Sequence, residues 1–178
     1  MKPSKHVLVM VGLLVGILGV GVGPARAVVT PAIAFDTYTL GSTTAPGLTI
    51  GWEFTTDRPL VITHLGYYDY AADGLTVSHD VGIFNLSSTL LVSDTVASGT
   101  GELVLGNTAF GSFRYHDITD YYLPAGTYRI GGVGGDTSQN SPFNLTTAAP
   151  ITLGNAYEVN GAGVLTYPTT FVSGPTDP

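Results

Sequence analysis

Three carboxylates and a histidine crowd one stretch of this chain, Asp69-Tyr70-Ala71-Ala72-Asp73-Gly74-Leu75 followed by Val77-Ser78-His79-Asp80-Val81-Gly82-Ile83. Asp69 and Asp73 stand four residues apart beside a glycine. A loop of that kind can offer Ca2+ several hard oxygens, with Asp80 or Asp57 as a further ligand. The spacing is not the D-x-D-x-D-G pattern of an EF-hand, and Asp with Gly also forms turns that need no metal. Tyr68 and Tyr70 flank the same loop, and their rings could stack on the apolar faces of sugars while Asp73 binds hydroxyls. The residues therefore predict carbohydrate contacts at Tyr68, Tyr70 and Asp73 and metal ligands at Asp69, Asp73 and Asp80. The alternative is tyrosine packing in a core, with hydroxyls at the sheet rim. His79 alternates with Val77, Val81 and Ile83, so it should point inward and Asp80 outward. It would serve there either as a base or ligand, or as a core histidine bonded to a carbonyl or a tyrosine.

Nucleophilic catalysis finds little support. No G-x-S-x-G elbow and no H-E-x-x-H motif occurs, and His64, His79 and His116 lack His-pair spacing. The run Gly131-Gly132-Val133-Gly134-Gly135-Asp136 resembles a phosphate loop only in its glycines, since no lysine follows. No catalytic residue is assigned, and the chain is read as a non-enzyme.

The 178 residues suit one domain of ordinary size. Lys2 and Lys5, the uncharged run Val7 to Val22 and Ala25-Arg26-Ala27 have the order of a secretory signal with cleavage before Val28. The remainder holds three arginines (Arg58, Arg114, Arg129) against thirteen Asp and Glu, a formal charge of −10. Nucleic acid and anionic membranes are poor partners for such a surface. No Cys, Lys or Met follows Ala27. Disulfides, thiolate sites, Schiff bases and P-loop chemistry are thereby excluded, and stability must come from the core.

Beyond residue 30 the pattern is of short strands and turns. Leu48, Ile50, Trp52 and Phe54 alternate with Thr49, Gly51, Glu53 and Thr55, the signature of a half-buried antiparallel strand. Further strands are predicted at 33–40, 60–68, 77–84, 89–96, 112–118, 127–133, 151–159 in part, and 164–167. Asn85-Leu86-Ser87-Ser88 separates two of them at hairpin length. The prediction is an all-β, antiparallel β-sandwich, jelly-roll-like, of about eight or nine strands. A signal-peptide helix over 1–27 precedes it; the domain spans 28–167 and an extended tail 168–178.

Several segments carry a family pattern in order: Trp52-Glu53-Phe54-Thr55; Leu65-Gly66-Tyr67-Tyr68-Asp69; Asp73-Gly74-Leu75; Ser78-His79-Asp80-Val81-Gly82-Ile83-Phe84; Leu90-Leu91-Val92-Ser93; Phe113-Arg114-Tyr115-His116-Asp117-Ile118; and Leu123-Pro124-Ala125-Gly126-Thr127-Tyr128-Arg129-Ile130-Gly131. Over residues 47 to 133 the chain resembles secreted bacterial domains of unknown function that often bear a PEP-CTERM sorting tail. The 178 residues include no such tail, so sorting is not among the implications. The resemblance implies a secreted β-sandwich of the cell envelope in exopolysaccharide-producing Gram-negative bacteria.

A secreted or cell-surface protein is expected, acting without catalysis by surface binding or self-association, or alternatively as a calcium-assisted carbohydrate-binding module. Its partners would be a polysaccharide or further copies of itself. A sheet lacking its last strand would leave an edge able to accept one from a neighbour. After signal cleavage no membrane association is expected.

Overall fold

The structure, a computed structural model, describes residues 11–16, 29–39, 47–105, 111–135, 141–148 and 150–173. All regular structure in them is β. Nine strands build two facing antiparallel sheets. The larger has six, in the order β13 (Thr170–Ser173), β12 (Ile151–Asn160), β4 (Leu48–Thr56), β10 (Gly126–Val133), β6 (His79–Asn85) and β7 (Leu90–Val96). The smaller has three, β5 (Leu60–Tyr70), β9 (Gly111–Leu123) and β8 (Leu103–Leu105). Two more strands, β1 (Val11–Gly16) and β2 (Val29–Pro31), extend the smaller sheet beyond β5. β3 (Ile33–Thr39) pairs separately with β11 (Ser141–Thr147).

The expected sandwich is present. The chain crosses between sheets from β4 to β5, β5 to β6, β7 to β8 and β9 to β10, which interleaves the two layers. One core joins them: Ile50, Trp52 and Phe54 of β4 and Val81 and Ile83 of β6 pack with Ile62, Leu65 and Tyr67 of β5. The predicted hairpin also forms, with β6 paired to β7. Asn85 closes it by accepting hydrogen bonds from the Ser87 and Thr89 amides at 3.0 and 2.9 Å.

Two expectations need correction. Of the predicted signal helix over 1–27, residues 11–16 are described, and they form a strand antiparallel to β5, with Leu13 opposite Leu65. The predicted strand 164–167 is instead part of an irregular strap, residues 161–169. In the tail, Thr170–Ser173 is an extended strand that adds to β12. Its last five residues lie outside the described part.

The strap explains a row of glycines. Gly51, Gly131, Gly82 and Ser93 stand side by side across β4, β10, β6 and β7. Without large side chains this row forms a trough on the outer face, and the strap lies in it. A Cβ on Gly82 would stand 2.8 Å from Leu165 and from Leu90, and one on Gly131 would stand 2.9 Å from Thr49. Thr49 accepts the Thr166 amide at 3.0 Å and donates to the Val164 carbonyl at 3.3 Å. Phe84, on the same outer face, meets Tyr167 edge-on with ring centroids 5.7 Å apart. Arg129 closes the strap, its Nη1 donating to the Pro168 carbonyl at 2.7 Å. Gly82→Val should overpack this trough and cost about 1–3 kcal/mol by denaturant unfolding. Gly101→Ala, whose Cβ meets nothing within 4 Å, should leave the midpoint unchanged.

Candidate functional site

The Asp69–Leu75 loop is built from an ion pair outward. β5 delivers Asp69 into the interior at 1% exposure, and β9 delivers Arg114 at 2%. Arg114 Nε donates to Asp69 Oδ2 at 2.5 Å, and its Nη2 donates to the Ala72 carbonyl at 3.3 Å. Both Asp69 oxygens also accept the Gly74 amide, at 3.3 and 3.1 Å. Ala71 and Ala72 hold φ of 62° and 57°, left-handed values that cost non-glycine residues roughly 1 kcal/mol or more each. The guanidinium and carboxylate thus hold a tight, strained turn whose far end is tied by Leu75 to Gly99.

Burial pushes the Asp69 carboxyl above its usual 3.8, and the Arg114 hydrogen bond and charge, with the Gly74 amide, oppose the shift without cancelling it. The neighbouring Asp73 charge adds to the rise. Desolvation is the larger effect because neither partner reaches water.

The structure separates most of the predicted site residues. Tyr68 is 1% exposed and packs edge-on against Phe113, so it cannot present a ring to a sugar. Tyr70 is half-buried against the core, and Asp73 alone of the predicted sugar-contact trio is exposed. Asp69 already serves Arg114 and Gly74. Asp80 lies on the other sheet and accepts the Thr95 hydroxyl at 2.6 Å. Among the described residues no group of three or more His, Asp or Glu side chains is gathered for a metal, so Asp69, Asp73 and Asp80 do not form one ligand set.

His79 points inward and Asp80 outward, as alternation requires. The imidazole stacks flat on Tyr67 at 3.6 Å and 6°, and its Nδ1 lies 2.8 Å from the Val133 carbonyl, to which it donates. Its surroundings are those of a core histidine bonded to a carbonyl.

His116 was not singled out by sequence. Its Nδ1 lies 2.9 Å from Glu102 Oε1, and its Nε2 lies 3.9 Å from Asp94 Oδ1. The three residues come from β9, the approach to β8 and β7, so they bridge the rims of the two sheets. Of these two histidines, His116 rather than His79 has the exposure and carboxylate partner that a base would need. No local spacing marks it, because its partners Glu102 and Asp94 come from separate segments of the chain.

A second cluster surrounds Arg129 on the outer face of the larger sheet. Its Cζ sits 3.4 Å from the Tyr157 ring centroid and 4.9 Å from that of Tyr167, and its Nε lies 3.6 Å from Glu53. Phe171 stands edge-on to Tyr157 at 6.4 Å and remains 57% exposed.

Scans against protein-family models, curated proteins and solved structures each return no match. The chemistry of the site therefore stands on its geometry alone.

Arg114→Met should cost about 3–5 kcal/mol, because it leaves a carboxylate buried without its partner. A folded-state value above the unfolded one means that the native chain holds the Asp69 proton more tightly. The stability from this group is full below pH 3.8 and is lost as pH rises through the folded value. In thermal melts, the wild type's margin over Asp69→Asn should shrink as pH is raised from 3.8 toward neutrality.

Proposed function

We propose that this chain is a secreted, non-enzymatic β-sandwich of the cell envelope or extracellular matrix, acting by surface binding or self-association. The observation that carries the non-enzymatic part is the placement of its most reactive interior groups. Asp69 and Arg114 bind each other and a turn, and His79 is stacked and bonded within the core. The secretory part is supported by the charged start, apolar run and Ala-x-Ala site of residues 1–27. The envelope setting is supported by the resemblance to secreted PEP-CTERM-type domains. The −10 charge after Ala27 argues against nucleic acid and anionic membrane surfaces as partners.

The second reading is a carbohydrate-binding module, and one observation favours it at a different place from the loop. Phe171 and Tyr157 form an exposed-to-half-buried aromatic pair with Glu53 and Arg129 beside it. Rings flanked by hydrogen-bonding charges suit a saccharide, whose C–H faces stack and whose hydroxyls need partners.

Both readings are tested by binding of the processed protein to a panel of bacterial and plant polysaccharides, with calcium and with EDTA. Saturable binding weakened by Phe171→Ala but not by Asp73→Ala supports the carbohydrate reading at the outer face. Loss with EDTA and with Asp73→Ala would return it to the loop. Absence of binding throughout leaves the matrix role by self-association. Turnover of any polysaccharide in the panel would overturn the non-enzymatic reading.

A further inference from the structure

The sheet edges of this molecule are unequal. β8 has three residues and β13 four, lengths that offer little to a foreign strand. β7 is longer but exposes Ser93, Asp94 and Thr95, and the Asp94 charge opposes pairing with a like edge. β5 is different. It runs for eleven residues, and from Val61 to Tyr68 it contains no Lys, Arg, Asp, Glu or Pro. A single bulge at Thr63 interrupts it.

In the full chain this edge is covered. Val11–Gly16 pairs along it from Val61 to Tyr67, stepping across the bulge between Leu14 and Val15. The covering strand is the apolar core of the segment that sequence reads as a cleavable signal. β2 pairs with β1 and would lose that support with it. Removal of residues 1–27 would therefore bare the N–H and C=O groups of the longest uncharged edge among the described strands.

We propose that processing turns β5 into an acceptor edge and that the processed chain dimerises through antiparallel β5–β5 pairing about a two-fold axis. The occupant is a second copy because the edge is self-complementary. From Val61 to Tyr68 it carries no Lys, Arg, Asp or Glu to oppose across the axis, His64 being its one basic side chain, and it has already accepted an apolar antiparallel strand. A two-fold pair of this kind also closes on itself, since each copy contributes its one vacated edge. This inference rests on the self-association arm of the proposed function and on cleavage at Ala27.

The test uses the full-length chain expressed in a secreting bacterial host, recovered after export and checked by mass for its N-terminus. Light scattering across a dilution series should give twice the mass of the processed chain. Hydrogen exchange should find the amides of Val61–Tyr67 that point away from β9 protected in that dimer. Thr63→Lys, which sets a charge on a half-buried bulge position, should weaken the dimer at least about tenfold, equivalent to about 1.4 kcal/mol, and leave those amides exchanging. A monomer at every concentration overturns the inference, as does a chain that keeps residues 1–27. A dimer in which those outward-pointing amides exchange freely also overturns it, while sparing self-association through another surface. A monomer that still binds polysaccharide would overturn the β5 interface and leave the surface-binding function standing.

Discussion

The desolvated pair of Asp69 and Arg114 is the constraint around which the smaller sheet is arranged. Neither group has water to fall back on, so each requires the other and the backbone groups of the loop between them and β6. The pair fixes β5 against β9 where Tyr67 stands opposite Arg114 and Asp69 opposite Ser112. It also holds Ala71 and Ala72 in conformations they would not choose. In a chain without disulfides this internal tie, added to the apolar core, does the work of defining one end of the sandwich.

The larger sheet is organised by a different rule, the absence of side chains. Gly131 and Gly82 leave the outer face low enough for the strap, Gly51 lets the backbone of β10 approach closely beside it, and Thr49, Arg129 and Phe84 hold the strap there. Gly82 and Gly131 therefore have a physical reason in this chain. Likewise, a Cβ at Gly66 would meet the ring of Tyr115, so that glycine makes room for a core aromatic on the neighbouring strand.

Much of the fold was legible where one face met the core and the other met water. β4 alternates cleanly at Ile50, Trp52 and Phe54, and the β6–β7 hairpin follows from its Asn-Leu-Ser-Ser turn. Alternation failed where both faces were covered. Leu65 through Asp69 are all buried, so Tyr68 looked available from sequence and is not. The strap read as a strand because Val164, Leu165 and Tyr167 are apolar, yet its hydrogen bonds are divided between side chains such as Thr49 and Arg129 and scattered backbone groups such as Gly47 and Gly161, with no strand ladder. The His116, Glu102 and Asp94 group assembles from three separate segments, and no local spacing announces it. The Arg129 cluster joins residues more than a hundred positions apart, from Glu53 to Phe171, for the same reason.

The allocation of arginines has a colloidal consequence. Two of the three that follow Ala27 are drawn into the structure, Arg114 beneath the loop and Arg129 beneath the strap, so Arg58 is the exposed cation among the described residues. The chain after Ala27 is otherwise acidic, with a formal charge of −10. Two such molecules repel at distances beyond about 10 Å in dilute buffer, and the repulsion fades as ions shorten its range. Any close-range contact between copies would therefore be gated by ionic strength, since salt would bring the molecules near enough for short-range bonding to act.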